Sequence, residues 1–296
     1  MVAVVRLLLR RRSWGADEHA LARRARRLFG ATTLHRTLAG RGVRRDDVQA
    51  ATVRGEWLTP PNAAPGTILY IHGGGYVACS AATHRPITAA LARLSGRRVL
   101  SVDYRLAPEH RFPAAIDDVA AAYEWLLASG VPAATIAVAG DSAGGGLTLA
   151  LLLRARDAGW PLPRCAVTFS PWVDLAGTGA SRLANDGRCA MFRPENIIGF
   201  ASAYLRGAEA TNPWASPLYG DLHGLPPVLI QVDESELLLD DARRLHERLQ
   251  AAGGTSRLEI GEGLFHCWQM LDGIVPESRA ALRRAADFVD EQLRGR

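Results

Sequence analysis

Gly140-Asp141-Ser142-Ala143-Gly144 sets a single hydroxyl between glycines. It follows the apolar run Ile136-Ala137-Val138-Ala139 and precedes a helix-like segment from Leu147 to Arg156. A Gly-x-Ser-x-Gly pentad between a strand and a helix is the sequence form of a nucleophile elbow, a turn so sharp that the serine stands alone at its tip. Glycine is needed two residues to either side because a Cβ there would strike the neighbouring strand or helix. Gly145 and Gly146 extend the small-residue run and let the helix pack close to the strands. Serine is a poor nucleophile until a neighbouring base takes its proton during attack.

That base is expected in a loop after the last strand, and Gly263-Leu264-Phe265-His266-Cys267-Trp268 offers His266. A histidine titrates near neutrality, so it can accept a serine proton and return it to a leaving group. His19, His35 and His246 read as solvated helix positions, and His110 and His223 as loop positions. A carboxylate must orient the base, and the loop after Val228 to Val232 holds Asp233, Glu234, Glu236, Asp240 and Asp241. Position alone does not choose among these five, though the chain order Ser, acid, His suits a strand-turn-helix nucleophile. An anionic intermediate also needs preorganised N–H donors. His72-Gly73-Gly74-Gly75-Tyr76 follows the apolar run Thr67 to Ile71 and supplies them, and the N–H of Ala143 at a helix start adds another. A phosphate-binding reading of these glycines fails, since there is no G-x-G-x-x-G ladder and Asp103 lies too far along the chain.

The elements that must position these groups alternate between strand and helix, which implies a mainly parallel sheet. Strands are expected at Val53–Leu58, Thr67–His72, Arg98–Asp103, Thr135–Ala139, Cys165–Ser170, Val228–Val232 and Arg257–Gly261. Helices are expected at Arg85–Leu94, Ala114–Ala128, Gly146–Asp157, Leu238–Ala251 and Glu277–Leu293. Residues 1–45 read as helices with no partner strand, and 176–215 as an insertion with a short helix around Glu195 to Tyr204. These two segments together are expected to form a helical cap over the C-terminal edge of the sheet. The core then comprises 46–175, with the glycine loop and elbow, and 216–296, with the acid and histidine.

The 296 residues contain no lysine; all 35 basic residues are arginine, which excludes Schiff-base, Ser-x-x-Lys and phosphate-loop lysine chemistry. Residues 1–54 hold 13 arginines and 4 acids, against 22 and 26 in the remainder. A basic arm for nucleic acid or an anionic membrane is one reading; an amphipathic helical element with solvated arginines is the one expected. Cys79, Cys165, Cys189 and Cys267 show no metal-ligand spacing and read as core residues of a reducing compartment. Val2 to Leu9 is apolar but broken by Arg6 and followed by basic residues, the reverse of a signal peptide. A cytoplasmic protein with no stable membrane anchor and no nucleic-acid partner is expected.

His72-Gly73-Gly74-Gly75-Tyr76, Tyr104 to His110, Gly140 to Gly145, Ser170-Pro171-Trp172-Val173-Asp174-Leu175 and Leu225 to Ile230 together resemble the bacterial hormone-sensitive-lipase-like esterases, over roughly residues 45–290. The resemblance implies an α/β-hydrolase fold with a helical cap, no cofactor and no metal. It implies a serine carboxylesterase that hydrolyses short- to medium-chain acyl esters of small molecules through an acyl-enzyme. Ser142 matches the nucleophile, His266 the base, and Gly74, Gly75 and Ala143 the oxyanion donors. Glu236-Leu237-Leu238-Leu239-Asp240 matches the acid-x-Leu-x-Asp pattern, which makes Glu236 the catalytic acid, although most relatives carry Asp there and Asp233 replaces a usual Gly. His72 and the Tyr104 to His110 segment are expected to brace the glycine loop. Tyr76, Phe192, Tyr204, Trp214 and Leu264 are the candidates for lining an apolar acyl pocket. Relatives often pair through the last strand and helix, which leaves a homodimer open. The same machinery would also serve a deacetylase, amidase or lactone hydrolase. A non-catalytic receptor on this fold usually lacks the histidine.

Overall fold

Eight strands make one sheet among the described residues, which in this computed structural model are 1–10, 17–30 and 40–294. The strands are β1 (Arg44–Ala50), β2 (Val53–Thr59), β3 (Thr67–Ile71), β4 (Arg98–Asp103), β5 (Ile136–Asp141), β6 (Cys165–Phe169), β7 (Val228–Asp233) and β8 (Ser256–Gly261). Their spatial order is β1-β2-β4-β3-β5-β6-β7-β8. Only β1 with β2 and β2 with β4 run antiparallel; the other pairs are parallel.

The helices are α1 (Val2–Val5, continued by a π-helical turn Arg6–Arg10), α2 (Glu18–Gly30), α3 (Arg85–Ser95), α4 (Ala114–Ala128), α5 (Ala143–Asp157), α6 (Ser181–Ala184), α7 (Pro194–Leu205), α8 (Leu239–Ala251) and α9 (Pro276–Arg294). Side chains of a strand alternate between faces. Ile68 and Tyr70 of β3 accordingly join α3 and α9 in one core, through Ile87, Leu91 and Phe288. Leu69 and Ile71 join α4 and α5 in the other, through Ile116, Leu147 and Leu151. Both faces are covered, so β3, β5, β6 and β7 are buried throughout and read as nearly unbroken apolar runs.

The strand order reverses between β3 and β5, because β3 is followed toward one edge by β4 and β5 toward the other by β6. Loops leaving such a pair at their C-terminal ends part to opposite faces and open a crevice. The glycine run follows β3 and the Ser142 pentad follows β5, so the topology alone brings them together.

The chain enters the sheet earlier than its composition indicates: β1 spans Arg-Arg-Asp-Asp-Val-Gln-Ala, crosses the expected boundary at residue 45, and has Ala50 as its one fully buried side chain. No apolar alternation announces it; it exists because the turn at Ala51, with φ +54°, returns it along β2. Helix α5 starts at Ala143, three residues before expected, because glycines 144–146 are accommodated within its first turns.

Helices α2 and α7 approach so closely that a Cβ on Gly199 would lie 2.8 Å from Leu21 Cδ1. Not all N-terminal arginines are solvated as expected. Arg26 donates to the carbonyls of Val77 (2.8 Å) and Ala107 (3.0 Å) and pairs with Glu109, fastening α2 to the loops beside the glycine run. Arg10 donates to the carbonyls of Cys189 (3.0 Å) and Phe192 (2.6 Å). Guanidinium groups hydrogen-bonded in this way act as staples rather than as free charge. No helix among the described residues is long and apolar enough to cross a membrane.

Candidate active site

Ser142 caps α5 with φ +52° and ψ −120°, backbone angles that cost roughly 1–3 kcal/mol and persist only where the surroundings impose them. Its N–H donates to Phe169 O (2.8 Å), and its carbonyl accepts from Trp172 N (2.9 Å), so neighbouring β6 clamps the turn. There is no room for side chains around it. A Cβ on Gly144 would sit 2.0 Å from Ile71 O, and one on Gly140 would sit 2.4 Å from Gly144 O.

His266 lies in the loop after β8, with Nε2 2.9 Å from Ser142 Oγ and Nδ1 2.6 Å from Glu236 Oε2. A ring that donates from Nδ1 to a carboxylate presents Nε2 as an acceptor to the hydroxyl. The other Glu236 oxygen accepts from Ser170 Oγ (2.7 Å) and Asp233 N (2.8 Å), and Ser170 Oγ in turn accepts from Cys267 N (3.1 Å). Serine, imidazole and carboxylate are thus one buried chain, with the carboxylate held at both ends.

The remaining four acids of that loop are occupied elsewhere. Asp233 accepts from Leu264 N (2.9 Å) and from Ser235, Asp240 from Ser181 N (2.8 Å), and Glu234 pairs with Arg188. Asp241 accepts from Val173 N (3.0 Å) and Asp174 N (2.9 Å). Burial and the neighbouring Asp174 charge push its carboxyl up to about 8.

Gly74 and Gly75 take φ of +115° and +61°, so the run bends as few other residues would allow. Gly74 O accepts from Val77 and Ala78, whereas the N–H groups of Gly74 and Gly75 donate to no protein acceptor among the described residues. Ala143 is the first residue of α5, whose N–H a helix leaves without an internal partner.

The loop is braced from beneath. His72 stacks on Tyr104 at 4.3 Å, donates from Nδ1 to Gly73 O (2.7 Å), and its carbonyl accepts from Tyr104 OH (2.8 Å). Burial and neighbouring His84 lower the His72 pKa to about 3, so the ring is neutral at ordinary pH. Asp141 accepts from Tyr70 OH (2.7 Å), Gly73 N (3.0 Å) and His84 Nε2 (3.2 Å). Burial would raise its pKa, but His84 and Tyr70 hold it at about 2. Sequence reasoning did not find Asp141, His84 or Ser170. Asp141 carried a signal as the residue beside the serine in the pentad, and Ser170 as the first residue of the Ser170 to Leu175 motif.

A cavity of about 320 Å³ is lined by Ser142, His266, Gly74 and Gly75 together with Val5, Leu9 and Phe29 from the N-terminal segment and Phe192 and Phe200 from the insertion. Of the five expected lining residues, only Phe192 lines it; its ring also meets His266 edge-on at 5.3 Å. Tyr76 and Tyr204 stack on each other at 3.9 Å and are buried outside the cavity wall. Trp214 lies on the surface beneath the Arg154 guanidinium. Leu264 faces Gly261 on the β8 side and borders a separate depression with Trp268. Residue type gave these positions their candidacy; the direction of each side chain removes it. His35 lies outside the described residues, and no metal-holding cluster occurs among those described.

A family model described as the α/β hydrolase fold matches residues 68–270. An acetyl-hydrolase of Streptomyces hygroscopicus is 42% identical over 82% of both chains. An esterase of Acinetobacter venetianus is 36% identical over 81% of this chain and 80% of its own. A crystal structure of an esterase from the bacterial hormone-sensitive lipase family superposes with a TM-score of 0.90 at 40% identity, covering 99% of this chain and 96% of that one. The chain belongs to the α/β-hydrolase family, among its bacterial hormone-sensitive-lipase-like esterases.

Proposed function

We propose that the protein is a serine carboxylesterase in which Ser142, His266 and Glu236 form the catalytic triad and the N–H groups of Gly74, Gly75 and Ala143 the oxyanion hole. One observation carries this reading: the unbroken hydrogen-bond chain from Ser142 Oγ through the His266 ring to Glu236. As Ser142 Oγ attacks an ester carbonyl, His266 Nε2 takes its proton, and Glu236 stabilises the imidazolium from Nδ1. The tetrahedral oxygen is met by the backbone donors, each worth roughly a hundredfold to a thousandfold in rate. The imidazolium returns the proton to the departing alkoxide oxygen. Water then attacks the acyl-enzyme, the same imidazole taking its proton and giving it back to Ser142.

No cofactor enters these steps. The N-terminal helices and the 176–215 insertion act as the cap that encloses the acyl group. Ligand pockets run from roughly 300 to 1,000 Å³, so a cavity of about 320 Å³ favours short to medium acyl chains. The arrangement of the cysteines supports a cytoplasmic setting. The test is hydrolysis of p-nitrophenyl esters from acetate upward. Rates should decline as the acyl chain lengthens and vanish in Ser142→Ala, whose fold is checked by circular dichroism. Undiminished turnover in that variant would end the proposal.

A further inference from the structure

Charge is divided between the layers of the molecule. Among the described residues, 1–10, 17–30 and 176–215 hold 10 arginines and 5 acids, whereas 40–175 and 216–294 hold 21 and 25. The covering layer is therefore net cationic and the rest of the described molecule net anionic. Arg10 and Arg26 are turned inward on carbonyls, whereas Arg6, Arg188 and Arg206 are exposed, Arg6 donating to Arg188 O (2.7 Å), Arg188 pairing with Glu234 and Arg206 lying 3.8 Å from Glu18.

The same layer exposes large aliphatic side chains: Leu7 at 60%, Leu183 at 75% and Ile198 at 53%. They belong to connected pieces. Arg10 ties the N-terminal segment to the 186–192 loop, and that loop joins α6, which carries Leu183, to α7, which carries Ile198. Leu183 and Ile198 border one groove whose charged residues are Arg182, Arg206 and Glu18. Nucleic acid would account for the arginines and leave the aliphatic groups without a role. A surface that is anionic outside and apolar a few ångströms within accounts for both.

We propose that this layer docks peripherally on an anionic lipid bilayer, with Leu7, Leu183 and Ile198 entering the headgroup region and the arginines meeting lipid phosphates. Val5 and Leu9 of the docking segment line the Ser142 cavity, so docking brings the cavity beside the bilayer, where amphipathic esters concentrate. The attachment is a reversible surface association and not an anchor. It rests on the surface alone and stands apart from the catalytic reading.

The intact chain is sedimented with phosphatidylcholine vesicles and with vesicles half phosphatidylglycerol. Binding to the anionic vesicles is expected to be at least about tenfold stronger than to the neutral ones, and to be released at about 0.5 M NaCl, where surface charge is screened. Leu7→Ser/Leu183→Ser/Ile198→Ser should bind at least about fivefold more weakly and still hydrolyse dissolved p-nitrophenyl butyrate at the parent rate. Arg6→Glu/Arg206→Glu should weaken binding and flatten its salt dependence, which decides the matter should the triple variant not fold. Ser142→Ala should bind as the parent does, so loss of esterase activity and loss of docking are read separately. Absence of anionic-vesicle binding, parent-like binding by both variants, or tighter binding to duplex DNA than to vesicles would overturn the proposal.

Discussion

Glu236 has both carboxylate oxygens engaged, one on His266 Nδ1 and the other on Ser170 Oγ and Asp233 N. An amide in its place would keep the packing and set a donor or an uncharged oxygen against the ring, favouring the wrong tautomer. Glu236→Gln is expected to lower kcat on p-nitrophenyl butyrate by about ten-thousandfold, while Asp240→Asn, whose oxygen still accepts from Ser181 N, keeps kcat near the parent value. The reverse ranking would reassign the acid. Ser142 and His266 were legible because each stands alone in a motif of defined setting. Glu236 was not legible by position, since four other acids share its loop, and only the family pattern separated it. The structural distinction is one of partners: Asp241 and Asp240 reach the backbone of the segments after β6, and Asp233 reaches the backbone of the His266 loop. Such cross-loop pairings leave no trace in local spacing.

Among the elements, the elbow and the cavity wall make separate demands. Gly144 brings α5 against β3 with no space for a methyl group, so Gly144→Ala must displace the helix or the strand. Overpacking of this kind costs about 1–3 kcal/mol or more; a lowered urea midpoint should accompany lost activity, and an unshifted midpoint would contradict the close packing. Phe192 of the insertion meets the His266 ring in the cavity wall. Phe192→Ala enlarges the cavity and should raise the rate on longer p-nitrophenyl esters relative to the butyrate. An unchanged chain-length profile would remove Phe192 from the acyl wall. The strands buried on both faces were legible as apolar runs, and the helices as the segments alternating with them. Strand β1 was not, because its charged sequence is held by its hairpin partner rather than by its own pattern. The misplaced pocket aromatics fail for a related reason: a tyrosine's size is visible in sequence, but not whether it faces the cavity or another tyrosine.

At the scale of the whole molecule, one buried acid sets a pH dependence of stability. Asp241 has its pKa raised from 3.8 to about 8 by burial and by Asp174. Between these values the folded chain holds a proton that the unfolded chain releases, so stability falls as pH rises through that window and the loss is complete above about pH 8. Asp241→Asn keeps a neutral acceptor for Val173 N and Asp174 N and removes the titration. Its melting temperature should gain on the parent as pH is raised from about 5 to about 9; a constant difference would show that Asp241 is not the group responsible. The same molecule joins loops after β3, β5, β7 and β8 at one sheet edge, and everything chemical depends on that convergence making one hydroxyl reactive. The most direct measurement is labelling with a fluorophosphonate, followed by peptide mass spectrometry. One adduct is predicted, on the peptide containing Ser142, with the labelling rate falling at least about a thousandfold in His266→Ala. An adduct on another residue, or labelling at the parent rate without His266, would contradict the account.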